Sequence, residues 1–170
     1  FLGAMFPAMA RAFEANRIDF RNVYTYAFRW MCLIGTPFAV GMAILGPRVG
    51  TTLFPRYPVE TVGPALSLLG WSGGLVFLTT VFVTVLRAAD KRVAFSLIMG
   101  VTTLFNIVSN FLLIPRFDHI GAAMAMILSE GVLFIACFFY ISRRIATLAG
   151  LRFAIKSAAI SVLMGVALIF

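Results

Sequence analysis

Four long stretches of this chain are almost free of charge, and each is close to the length of a membrane-crossing helix. Residues 30–47 run for 18 residues without an Asp, Glu, Lys, Arg or His, 61–86 for 26, 93–115 for 23, and 120–142 for 23 broken only by Glu130. A helix crosses the hydrocarbon core with about 20 apolar residues, within a range of about 17–25. Residues 1–10 and 157–170 are shorter apolar pieces. The pattern predicts an all-α, polytopic transmembrane helix bundle with four full spans and a partial span at each end. Ordinary strands, at about 3–10 residues, are too short to account for these runs. A transmembrane barrel would show polar and apolar residues alternating in segments of about ten, and no such alternation is present. Helices then remain as the way to satisfy the backbone in lipid.

Composition supports this reading. Hydrophobic residues make up 62% and charged residues 12%, against roughly 25% charged in a typical soluble domain. A water-soluble monomer, a disordered chain and a disulfide scaffold are excluded. The net charge of +8 would suit a nucleic-acid binder if the cations formed a face. Instead they sit in short clusters between the apolar runs, so no nucleic-acid partner is expected and membrane lipid is. Eleven of the 14 Lys and Arg fall in three alternate segments, 11–29, 87–92 and 143–156; Arg48, Arg56 and Arg116 are left to the intervening ones. That asymmetry predicts that the three rich segments are cytoplasmic and that the protein is a multi-pass membrane protein. The chain begins at Phe1 and stops at Phe170 inside an apolar run, and is read as an internal piece of a longer protein.

Within the spans, Pro37 is expected to kink the first. Gly70 and Gly74 in the second, and Gly121, Ala125 and Ser129 in the fourth, recur every four residues as small ridges that let helices approach closely. In the 11–29 segment, Phe13, Phe20, Tyr24 and Phe28 are spaced by seven, four and four, with Arg17 and Arg21 on another face. This predicts an amphipathic helix able to continue into the next span.

Few residues could carry chemistry. Glu130 is the one charged side chain deep in an apolar run, a site for a coupling ion, a substrate contact or a structural hydrogen bond. Asn106 and Asn110 lie four apart on one helical face, with Thr102, Thr103 and Ser109 nearby, either lining a substrate path or bonding one helix to another. Cys32 and Cys137 fall inside apolar runs, have no metal-binding spacing, and read as small buried side chains. His119 stands alone. The sequence offers no metal site, no cofactor motif and no nucleophile paired with a base, so no catalytic residue is assigned and the protein is not read as an enzyme.

An ordered set of short motifs resembles a known family. Asn106-x3-Asn110, then Leu113-Ile114-Pro115, then Gly121-Ala122-Ala123 are similar to the late part of bacterial polysaccharide flippases, of the multidrug/oligosaccharidyl-lipid/polysaccharide exporter superfamily. Phe6-Pro7 before a basic stretch, Pro37 early in a span, Leu53-Phe54 with Tyr57, and Leu86, Ala88 and Lys91 fit in order. Pro55 and Asp90 depart from the pattern, standing where the family usually or often has glycine. The resemblance implies two bundles of six spans, with residues 1–156 part of the second and 157–170 the start of a further transmembrane helix. It implies a place in the inner (plasma) membrane and translocation of a lipid-linked oligosaccharide or polysaccharide precursor across it by alternating access, with the N-terminal half of the same protein as partner. Arg11, Arg29 and Arg87, near helix ends, would suit an anionic pyrophosphate-lipid headgroup, although topology alone also explains them. A cation-coupled multidrug exporter with Glu130 as the coupling carboxylate, a membrane-embedded glycosyltransferase or acyltransferase, and a non-transporting scaffold are the alternatives.

Overall fold

The computed structural model describes residues 2–54, 56 and 59–145. The expected further helix at 157–170 and most of the 143–156 segment lie outside the described residues. Within them the chain forms four helices and no strand: α1 (Leu2–Ala15), α2 (Arg17–Leu53), α3 (Val59–Ala88) and α4 (Arg92–Arg144).

The aromatic periodicity of 11–29 does not stay on one helix. Asn16 adopts extended backbone (φ −162°, ψ 144°), and its side chain accepts a hydrogen bond from the Ile18 N–H at 3.1 Å. It thereby caps a new helix and separates α1 from α2. Phe13 and Phe20 meet edge to face across this break, with ring centroids 5.1 Å apart. From the cap, α2 continues through the first apolar run to Leu53, carrying Pro37 and Pro47 without ending. At 1.5 Å per residue it is about 56 Å long, more than the roughly 30 Å of a hydrocarbon core.

α3 ends in a Schellman turn. Lys91 N–H donates to the Leu86 carbonyl at 3.0 Å and Asp90 N–H to that of Arg87 at 3.1 Å, with Asp90 at φ 52°. This is the left-handed position that favours glycine, and it is where the sequence departs from the family pattern.

α4 holds 53 residues, far too many for one crossing. Asp118 (φ 50°, ψ −131°) is non-helical and divides it into limbs 92–117 and 119–144. The limbs lie side by side and antiparallel. Asn106 Nδ2 on the first donates to Ser129 Oγ on the second at 2.6 Å, and Gly121 sits against the Leu113 carbonyl. The expected third and fourth spans are therefore both present, joined through one non-helical residue.

Small residues bring α2 and α3 together. A Cβ on Gly70 would stand 2.5 Å from Met42 Cβ, one on Gly74 2.6 Å from Ala39 Cβ, and one on Gly35 2.9 Å from Phe77 Cβ. Ser67 Oγ donates to the Ala43 carbonyl at 2.8 Å, so the two helices touch along their length, antiparallel. The second limb of α4 packs on α3 through aromatics. Phe82 stacks on Phe28 at 5.7 Å and meets Phe134 at 5.2 Å. Around it Met9, Tyr24, Cys32, Val85, Cys137 and Ile141 are fully or almost fully buried. The first limb of α4 is apolar outward: Leu97 is 65% exposed, Leu104 63% and Phe111 82%, as a lipid-facing surface would be.

The antiparallel order gathers the helix ends into two groups. The start of α2, the α3–α4 turn and the end of α4 share one end, with Arg21, Arg29, Arg87, Lys91, Arg92, Arg143 and Arg144. Arg48, Arg56 and Arg116 mark the other.

Candidate functional site

Midway along the α4 hairpin, the two limbs leave a groove of about 410 Å³. Its polar lining comes from Thr102, Thr103, Asn106 and Asn110 on the first limb and Ser129 and Glu130 on the second; Met99, Ala122, Met126 and Leu133 complete it. The three residues singled out in sequence as a path for substrate or ion, Asn106, Asn110 and Glu130, thus line one cavity. They meet because the chain reverses at Asp118, which places positions 12 before it and 11 or 12 after it at similar depth.

The hydrogen bonds inside the groove have a direction. Asn110 Nδ2 donates to Asn106 Oδ1 and to the Asn106 carbonyl, both at 3.0 Å. Asn106 Nδ2 donates to Ser129 Oγ at 2.6 Å, and the Ser129 hydroxyl donates to the Ala125 carbonyl. Asn106 therefore bonds one limb to the other, while Asn110 bonds only Asn106 on its own limb. The small ridge of Gly121, Ala125 and Ser129 is the surface Asn106 bonds to, and all three of its members are buried.

Acceptors are left over. Among the described residues, Asn110 Oδ1, Glu130 Oε1 and the Thr102 and Thr103 oxygens make no side-chain hydrogen bond, and Thr102 Oγ1 is buried without any partner. A groove lined by two spare acceptor oxygens, of Asn110 and Glu130, and by two unbonded hydroxyls that can donate or accept suits a ligand that does both, such as a sugar bearing hydroxyls, and its acceptors also suit a cation.

Glu130 is half-buried and accepts a hydrogen bond from Thr79 of α3 through Oε2 at 3.1 Å, and the same Thr79 proton is shared with the Val76 carbonyl of its own helix at 3.2 Å. The carboxylate thus joins the hairpin to the helix behind it. Sequence reading left its partner unidentified. Thr79 lies beside Thr80, and Thr84 follows; Thr80 and Thr84 spend their hydroxyls on carbonyls four residues back, at 2.6 and 2.7 Å. Nothing in the residue types separates the bonding threonine from these.

The three arginines expected near an anionic headgroup lie elsewhere. Arg11 donates from Nε to the Pro7 carbonyl at 3.3 Å on its own helix. Arg29 lines a separate surface groove with Tyr26, Trp30 and Leu33. Arg87 lies over the Phe95 ring at 4.8 Å from its centroid. Arg11 and Arg87 lie near the ends of α1 and α3, whereas Arg29 lies twelve residues inside α2 because that helix begins at Arg17, and none of the three lines the polar groove.

Comparison with known proteins agrees with this architecture. An uncharacterized membrane protein of Methanocaldococcus jannaschii is 23% identical over 144 residues, which cover 82% of this chain and 27% of that protein. The chain thus spans about a quarter of the length of this relative. No solved structure matches. The family model described as lipid II flippase MurJ matches residues 1–170. The sequence motifs had pointed to polysaccharide flippases. The match supports the flippase assignment at the level of the superfamily and does not reach the polysaccharide branch: over residues 1–170, this chain belongs to the lipid II flippase MurJ family.

Proposed function

We propose that the protein carries a lipid-linked saccharide precursor of the lipid II type across the inner membrane by alternating access. Residues 1–156 supply part of the second of two six-helix bundles, and the N-terminal half of the same protein supplies the first. In this reading the segments 11–29, 87–92 and 143–156 face the cytoplasm.

The observation that carries the proposal is the mid-depth groove with its unused acceptor oxygens, in a chain of flippase family. Lipid offers no reason to keep such a surface, whereas transporters place binding sites near the bilayer midplane between helical repeats. The groove can take the hydroxyl-bearing headgroup while the lipid tail stays outside. Glu130 is placed to respond to a coupling ion, since it reaches both the groove and α3.

The test uses the intact protein. Asn110→Leu removes one groove amide and leaves the Asn106–Ser129 bond in place. The double change Asn106→Leu, Asn110→Leu removes both. Each lost interhelical bond costs about 0.6 kcal/mol on average, so both variants are expected to accumulate normally. Flipping of lipid-linked saccharide, read as its accessibility at the outer face of the membrane, is expected to fall with Asn110→Leu alone. Wild-type flipping by the double variant would remove the groove from the transport path.

A further inference from the structure

We propose that a second cleft, between the charged ends of the α4 limbs, binds an anionic phospholipid of the surrounding membrane. This cleft has a volume of about 390 Å³. Ile98 of the first limb and Ala136, Phe139, Tyr140, Arg143 and Arg144 of the second line it. It shares no residue with the polar groove, so the inference stands independently of the proposed transport path.

The lining is ordered along the second limb. Ala136, Phe139 and Ile98 form an apolar floor. One turn further on, where the limb ends, Arg143 and Arg144 form a cationic rim beside Tyr140. That order matches a lipid, with the acyl chain on the floor and the phosphate at the rim. The Arg143 guanidinium stands 5.8 Å from the Phe139 ring centroid. The ring keeps the cation at the edge of the cleft.

Charge complementarity identifies the occupant as an anion. No Asp or Glu follows Glu130 anywhere in the sequence. Asp90, the acid in the α3–α4 turn at this end, is already held by Arg92 at 2.7 Å. Arg143 and Arg144 therefore have no carboxylate partner among the described residues. The surface around the cleft is open and apolar: Val93 is 75% exposed and Phe139 54%. A free anion would leave the floor unused. A neutral phospholipid would leave the rim uncompensated. An anionic phospholipid satisfies both.

The experiment reconstitutes the intact protein in phosphatidylcholine vesicles with trace spin-labelled phosphatidylglycerol or spin-labelled phosphatidylcholine. It measures the motionally restricted fraction of each. Wild type is expected to prefer phosphatidylglycerol, and Arg143→Gln with Arg144→Gln is expected to lower that preference by roughly five-fold per arginine at most. Arg143→Lys with Arg144→Lys is expected to keep most of it. Arg21→Gln with Lys91→Gln removes the same charge from exposed positions at the same end and is expected to leave the preference near wild type. Equal loss in this control pair would mean a general surface field and overturn the site, as would an unchanged preference in the Gln pair. Displacement of the labelled phosphatidylglycerol by an equimolar polyprenyl pyrophosphate would assign the cleft to the transported lipid and overturn the choice of occupant.

Discussion

The α4 hairpin depends on Gly121, and replacing that residue gives a signed test of the packing. A Cβ at 121 would fall against the Leu113 carbonyl group, with the Ile114 nitrogen 2.9 Å away. These are backbone atoms, which cannot rotate aside. The limbs would have to part by about 1 Å to recover van der Waals spacing. Overpacking of this kind costs about 1–3 kcal/mol, and the gain in helix propensity from Gly to Ala returns about 1 kcal/mol at most. Gly121→Ala should therefore destabilise by up to about 2 kcal/mol. Gly100 and Gly131 lie on the same two limbs with nothing within 4 Å of their Cβ positions. Changing them to Ala should be neutral, or stabilising by up to about 1 kcal/mol. The assay is thermal unfolding of the intact protein in detergent, followed by labelling of the buried thiols of Cys32 and Cys137 with a thiol-reactive fluorophore. The expected order of Tm is Gly121→Ala below wild type, and wild type at or below Gly100→Ala and Gly131→Ala. A Gly121→Ala protein that melts with the other two would refute the close approach of the limbs.

Asp90→Gly should raise Tm, because it relieves a left-handed residue at φ 52° and gives up only an exposed ion pair; the gain is about 0.5–1 kcal/mol. Asp118→Gly should gain at least as much, since φ 50° with ψ −131° is a region that glycine alone occupies easily, whereas a fall in Tm for either would show that the carboxylate matters more than the backbone. Single cysteines replacing Asp90 on one hand, and Arg56 or His119 on the other, should react with an impermeant thiol reagent from opposite sides of the membrane; labelling of the Asp90 site from outside would reverse the proposed orientation.

Much of the fold was legible because one physical demand, an apolar run long enough for the bilayer, is written directly in the spacing of charges. The four runs correspond to α2, α3 and the two limbs of α4. The small-residue ridges were legible for a similar reason: Gly70 and Gly74, like Gly121, Ala125 and Ser129, stand where helices touch. The break at Asn16 was hidden because the aromatic spacing passes over it, Phe13 and Phe20 keeping register while the helix between them stops. The reversal between the third and fourth runs was legible too, but not its tightness, because the segment holds no glycine to mark a one-residue break. Arg116, Phe117, Asp118 and His119 read as a short polar loop, yet only Asp118 leaves helical geometry. In the groove, Asn106, Asn110 and Glu130 were visible as polar residues in apolar surroundings. Thr79 was not, since a threonine hydroxyl commonly bonds its own helix and carries no mark of doing otherwise.

Magnitudes separate what holds the hairpin together from what the groove is for. A charged side chain at the centre of a membrane helix costs about 2.5–3.5 kcal/mol on insertion scales. Glu130 receives in return one hydrogen bond, from Thr79 at 3.1 Å. Interhelical bonds of that kind average about 0.6 kcal/mol and reach about 1.7. If association were the whole role of Glu130, an apolar residue would serve better, since the Asn106–Ser129 bond already fastens the limbs. Glu130→Leu should therefore leave Tm at or above wild type while transport falls steeply. Thr79→Val, which removes the bond but keeps the carboxylate in the groove, should lower Tm by an amount corresponding to about 0.6–1.7 kcal/mol and keep measurable transport. Loss of stability and transport together in Glu130→Leu, matched by the same losses in Thr79→Val, would make the carboxylate a structural link between the hairpin and α3 and leave the groove without its charged member.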